Sequence, residues 1–139
     1  MATIEAKKVS ELGLSSAMTT CAAGGDDFTN TGIEFIRVQN THASKTYTVK
    51  LKAQTLSYKH PAYGSLTKSN GYVTIVHPGS TGANSLYLGP FKQGSLSNSN
   101  NKVQVFYKEG TLATDAAFDG GTDISGAHLL KIEVLYLDN

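Results

Sequence analysis

Apolar and polar residues alternate along this chain in short runs separated by polar, glycine-bearing breaks. The clearest run is 46–53, where Tyr47, Val49, Leu51 and Ala53 alternate with Thr46, Thr48, Lys50 and Lys52. A period of two gives a segment one apolar and one wet face, the pattern of a half-buried antiparallel strand. Residues 33–39 read as a second strand, joined to it by the polar turn 40–45.

The same grammar recurs downstream. Residues 55–60 continue, after a bend, the strand begun at 46. Residues 72–77 are β-branched and aromatic and stop at Pro78-Gly79, and 85–89 form a short strand ended by Pro90. Val103, Val105 and Tyr107 share one face of 102–108, and Leu130, Ile132, Val134 and Tyr136 oppose Lys131 and Glu133 in 129–137. Turn signals occupy 61–64 and 68–71, a polar loop 93–101, and a long excursion 112–126 with room for one helical turn around 113–118. The first 27 residues differ: 3–9 read as an edge strand or helical turn, 15–23 as a small-residue strand or extended arm, and 24–27 as a loop. About seven to nine strands and no long helix predict an all-β fold, an antiparallel β-sandwich or jelly-roll-like barrel with an extended N-terminal arm. The predicted division is an arm or peripheral ribbon, 1–27, and a single β-sandwich domain, 28–139. Its predicted core is Ile36, Val38, Tyr47, Val49, Leu51, Val73, Ile75, Leu86, Leu88, Val103, Val105, Leu130, Ile132 and Val134.

Composition narrows the class. At 139 residues the chain is long enough to bury a core without metal or disulfide support. Fourteen glycines against three prolines suit many tight turns. The net charge of +1 and the single arginine, Arg37, argue against nucleic-acid binding, which needs clustered cations to replace counterions. Lys7-Lys8 and Lys50/Lys52 read as solvated strand faces. No run reaches the eighteen or so apolar residues of a membrane span. The first residues lack the apolar stretch of a signal peptide, so synthesis and folding in a cytoplasm are expected. The lone Cys21 has no disulfide partner, and its small neighbours mark it as a buried hydrophobe rather than a reactive thiol.

No motif gathers catalytic groups, so no enzyme, cofactor or resident metal is expected. His42, His60, His77 and His128 lack zinc-ligand spacing. Asp115, Asp119 and Asp123 lie on a glycine-bearing loop, as hard cations prefer, but their spacing is not that of a calcium loop; aspartates ending turns is the more economical reading. Glu34 and Glu133 are the available carboxylate pair for glycoside hydrolysis, yet both sit where alternation predicts a solvated face. Tyr58, His60 and Tyr63 flank one turn and offer a stacking platform for sugar.

A longer pattern carries a resemblance. Gly25-Asp26-Asp27-Phe28-Thr29-Asn30-Thr31-Gly32 precedes the strand IEFIRVQN and then KTYTVKL. SLYLGPF at 85–91, an Asn-rich loop and KVQVFYK follow. This order, over about residues 24–108, resembles small structural proteins of tailed bacteriophages, capsid decoration (cement) proteins in particular. The chain departs from the simplest members by insertions at 55–70 and 112–126. The resemblance implies a non-enzymatic virion protein on the capsid surface, often trimeric at three-fold positions. Its implied partners are the major capsid protein and copies of itself, with neither nucleic acid nor membrane. It also implies that the N-terminal arm and the two insertions make the contacts. Two other readings remain open from the residues: a tail or head-fibre component, and a carbohydrate-binding or adhesion β-sandwich.

Overall fold

The computed structural model of the protein describes residues 1–10, 17–54, 57–60, 62, 64–67, 72–76, 84–91 and 96–137; the side chains of 57–60, 64–67 and 72–76 lie outside that description. The strands are β1 (Ala2–Thr3), β2 (Ala6–Val9), β3 (Thr19–Thr20), β4 (Asp26–Thr29), β5 (Phe35–Asn40), β6 (Tyr47–Leu51), β7 (Ser57–His60), β8 (Gly64–Thr67), β9 (Tyr72–Val76), β10 (Ser85–Leu88), β11 (Lys102–Glu109) and β12 (Leu130–Leu137), with one helical turn, α1 (Asp115–Asp119). One sheet runs β1-β4-β11-β6-β9, and a second runs β10-β5-β12-β2 with β3 also on β12. The two pack against each other as a sandwich and do not close into a barrel.

The alternation read from the sequence sets this packing. Tyr47, Val49 and Leu51 of β6, Val103, Val105 and Tyr107 of β11, and Ile36, Val38, Leu130, Ile132 and Val134 of the facing sheet are buried in one cluster. Leu86 and Leu88 pack against it half-buried. The predicted core members Val73 and Ile75 pair in register with Lys50 and Thr48, and their side chains lie outside the described residues. Phe28, Phe91, Leu96, Ala53, Ile4, Cys21 and Ile124 complete the cluster.

Two features depart from the sequence reading. Residues 57–60 do not extend the strand begun at 46; they form a separate hairpin with β8. The sheets are also mixed rather than purely antiparallel, and both parallel pairs come from the N-terminal segment. β1 runs parallel to β4 and β2 parallel to β12, so residues 2–9 step from the edge of one sheet to the edge of the other. Ile4, at the step, is buried and donates its N–H to the Asp27 carbonyl at 2.8 Å. Asp27 Oδ1 accepts from Thr3 Oγ1 at 2.6 Å and from Lys102 Nζ at 3.0 Å, tying β1, β4 and β11 together.

Candidate functional site

β4 starts immediately after a tight turn at Ala23-Gly24, and its first residue faces the core. Asp26 is fully buried; its Oδ2 accepts the Tyr107 hydroxyl at 2.7 Å and the Ala22 N–H at 3.1 Å, and its Oδ1 has no hydrogen-bond partner among the described residues. Burial raises the Asp26 carboxyl above its ordinary value of 3.8, and the two hydrogen bonds offset only part of that push. Cys21, packed beside Tyr107, is buried as expected, and burial drives its thiol far up, leaving it neutral and unreactive.

A pH experiment reads this cluster. Below about 3.8 both folded and unfolded chains hold the Asp26 proton. As pH climbs from there through the raised native value, the unfolded chain ionises first and stability falls; above that window the contribution is constant. Asp26→Asn removes the slope. The difference in melting temperature, variant minus wild type, is expected to move in the variant's favour across the window and then level off. Glu34 titrates the opposite way in both proteins and cancels in the difference; Asp27, coupled by charge to its neighbour Asp26, contributes only through that coupling. A difference that stays flat from acid to neutral pH would show that Asp26 ionises freely in the native state.

The acidic excursion lies on the other side of the same sheet. Alternation places Lys50 and Lys52 of the β6 segment on the outer face, and register sets Phe106 beside Lys50 and Lys108 beside Thr48. The expected solvated position of Lys50 is corrected by the structure: it is buried. Its ammonium lies 3.0 Å from Asp119 Oδ1, 3.7 Å from Asp115 Oδ1 and 5.3 Å from the centre of the Phe118 ring. Burying an ammonium is costly unless it is paired, and α1 supplies the pair. Thr114 caps α1 by accepting the Ala117 N–H at 3.1 Å, and Phe118 is buried beneath it. Asp115 and Asp119, four apart, would repel each other on one helix face; Lys50 bridges them. Thr48 Oγ1 donates to the Gly110 carbonyl at 2.7 Å and accepts the Leu112 N–H at 3.0 Å, which anchors the start of the excursion. Lys108 Nζ pairs with Asp123 at 2.6 Å. The aspartates read as a candidate cation loop therefore face lysine ammoniums of the sheet. Between α1, β11 and the Ala23-Gly24 turn lies a cleft of about 450 Å³, floored by Phe106 and Phe118 and edged by Lys50, Lys52, Lys108, Asp119 and Asp123.

Among the described residues the remaining candidates do not converge. Glu34 and Glu133 are both buried, at 5% and 6% exposure, which corrects the solvated-face expectation. Glu34 folds back on its own loop: it accepts the Thr31 N–H at 2.7 Å, the Thr31 hydroxyl at 2.8 Å and the Ile33 N–H at 3.3 Å. Burial pushes its carboxyl up, but these bonds outweigh that and hold it below the ordinary range. Glu133 instead meets Arg37 Nη1 at 3.4 Å across β5 and β12. His42 Nδ1 accepts the Ser44 and Lys45 N–H groups, and His128 Nδ1 accepts the Leu130 N–H, so both organise turns. His77, Tyr63 and the side chains of Tyr58 and His60 lie outside the described residues. Among the described residues no group of three or more His, Cys, Asp or Glu is placed to hold a metal ion, and no helix is long and apolar enough to cross a membrane.

Lys50 and its cleft were missed by the sequence reading. The available signal was the pair Asp115 and Asp119 beside Phe118, a one-turn amphipathic unit whose like charges call for a cation. No protein-family model, curated protein or solved structure matches this chain.

Proposed function

We propose that this protein is a structural component of a tailed-phage virion, a decoration (cement) protein that binds the assembled capsid shell and stabilises it. The observation that carries this reading is the meeting of the two separated halves of the resemblance pattern. Phe28 of G-D-D-F-T-N-T-G packs on Phe91 of G-P-F with ring centroids 5.7 Å apart. Two residues on, the buried Asn30 Nδ2 donates to the Phe91 carbonyl at 3.2 Å and to Ser97 Oγ at 2.9 Å. Residues 61 apart in sequence thus form one packed corner of the sandwich. A pattern of this kind serves shape, and shape is what a lattice-binding protein presents.

The physical role follows from mass action: a protein that binds only the assembled shell shifts assembly toward that state. Charged groups that could have served chemistry hold loops and α1 in place instead. Residues 2–9 are paired within both sheets, so the contact role falls to the 112–126 excursion and the 55–70 insertion rather than to a free arm. The proposed assembly is a homotrimer with the major capsid protein as its other partner. Light scattering on the purified protein is expected to give three times the 14.7 kDa chain mass; a concentration-independent monomer would overturn the trimer.

A further inference from the structure

The ion pairs over the outer cleft are lopsided. In the two shortest, the lysine is the more covered member and the aspartate the exposed one: Lys50 at 8% against Asp119 at 66%, and Lys108 at 17% against Asp123 at 71%. The lysines are fixed by strands β6 and β11, whereas the aspartates belong to the excursion. An aspartate this exposed returns to water at little cost, and when Asp119 leaves, Asp115 at 3.7 Å still faces the buried Lys50 ammonium. A desolvated ammonium that loses one carboxylate gains a charge-assisted bond from the next carboxylate to arrive. Lys52, exposed at the rim, makes no ion pair among the described residues.

We propose that this cleft receives an acidic side chain carried on a segment of a partner protein. The incoming carboxylate replaces Asp119 on Lys50 or Asp123 on Lys108, Lys52 adds a second contact, and the segment's apolar atoms lie against the half-buried Phe106. The cleft's volume of about 450 Å³ is within the range of ligand sites. Its rim residues Ala23, Gly24, Lys52, Asp119 and Asp123 are open to solvent in whole or in part, so a free small molecule would stay half wet. A partner surface that covers the rim excludes that water. This inference rests on the virion reading only for the identity of the partner, the capsid protein.

The test uses the full chain and the blocked tripeptide acetyl-Glu-Phe-Glu-amide at low salt, followed by two-dimensional NMR. Saturable shifts are expected at Lys50, Lys52, Phe106 and Lys108, weakening as salt is raised. Asp119→Asn removes the internal competitor and is expected to tighten binding about threefold or more. The variant keeps Asp115 on Lys50 and loses a negative charge at the α1 C-terminus, so it retains its fold. Lys52→Gln is expected to weaken binding by a similar factor, and acetyl-Lys-Phe-Lys-amide to leave the spectrum unchanged. Unchanged or weaker binding by folded Asp119→Asn overturns the proposal, because an ion pair serving only as a latch predicts no gain. Succinate binding as tightly as the peptide would overturn the partner-segment claim in favour of a free small anion. Co-sedimentation with capsid shells separates the two readings. Shell binding by wild type that neither variant alters sinks the cleft and leaves the virion role standing. The predicted peptide results without shell binding do the reverse.

Discussion

Phe28→Ala is expected to lower stability by about 3–5 kcal/mol, a large part of the roughly 5–15 kcal/mol that holds a domain of this kind together. The Phe28 side chain is fully buried. Its strand is held on both sides, parallel to β1 and antiparallel to β11 with Val103 directly opposite. Fixed neighbours cannot collapse into the space the ring leaves, so the loss contains a cavity component as well as lost burial. Phe91 would lose its ring partner, and the Asn30 bonds to Phe91 and Ser97 would sit at the edge of the new void. Chemical denaturation measures the loss directly. A change below about 1 kcal/mol would mean that the corner joining the two halves of the pattern is not packed as described.

The second large effect is at Gly25. Its backbone has φ of +92°, and an added Cβ would lie 2.7 Å from the Val105 carbonyl oxygen and 2.9 Å from Phe106 Cδ1. The left-handed conformation costs a side-chain-bearing residue roughly 1–2 kcal/mol, and forcing backbone off backbone adds about 1–3 kcal/mol. Gly25→Ala should therefore cost about 2–5 kcal/mol. Gly32 is the internal control. It has φ of +103° but nothing within 4 Å of an added methyl, so Gly32→Ala should show only the conformational part. Equal losses at the two sites would show that the turn before β4 does not press against β11.

The long alternating runs of β5, β6, β11 and β12 were legible because each presents several consecutive periods, and their inward residues are the ones buried in the core. The hydrophobic pattern also assigned the all-β class. What it could not give was pairing between short segments. β1 and β2 have two and four residues, too few to display a period, and their parallel partners lie far along the chain. Phe28 was hidden for the same reason: in a four-residue strand its burial is set by β11.

Charge misled the reading where a polar side chain on an outward position finds cover. Glu133 does occupy the outer face of its strand, yet Arg37 lies over it. Lys50 alternates outward as the pattern requires, yet the helix that buries it arrives from 69 residues downstream. Period-two reasoning reports which side of a sheet a residue occupies; it carries no information on what later crosses that side. The 112–126 excursion was legible as a glycine- and aspartate-bearing insertion with one helical turn. Its lysine partners were not, because the charges that meet belong to separate elements.

Electron cryomicroscopy of virus particles purified from the source of this gene tests the proposed role most directly. The account predicts density for two facing sheets on the outer surface of the shell, repeated around three-fold positions. It also predicts that the 112–126 side contacts the capsid protein. Fully assembled particles that carry no such density, and yield no peptides of this chain by mass spectrometry, would contradict it.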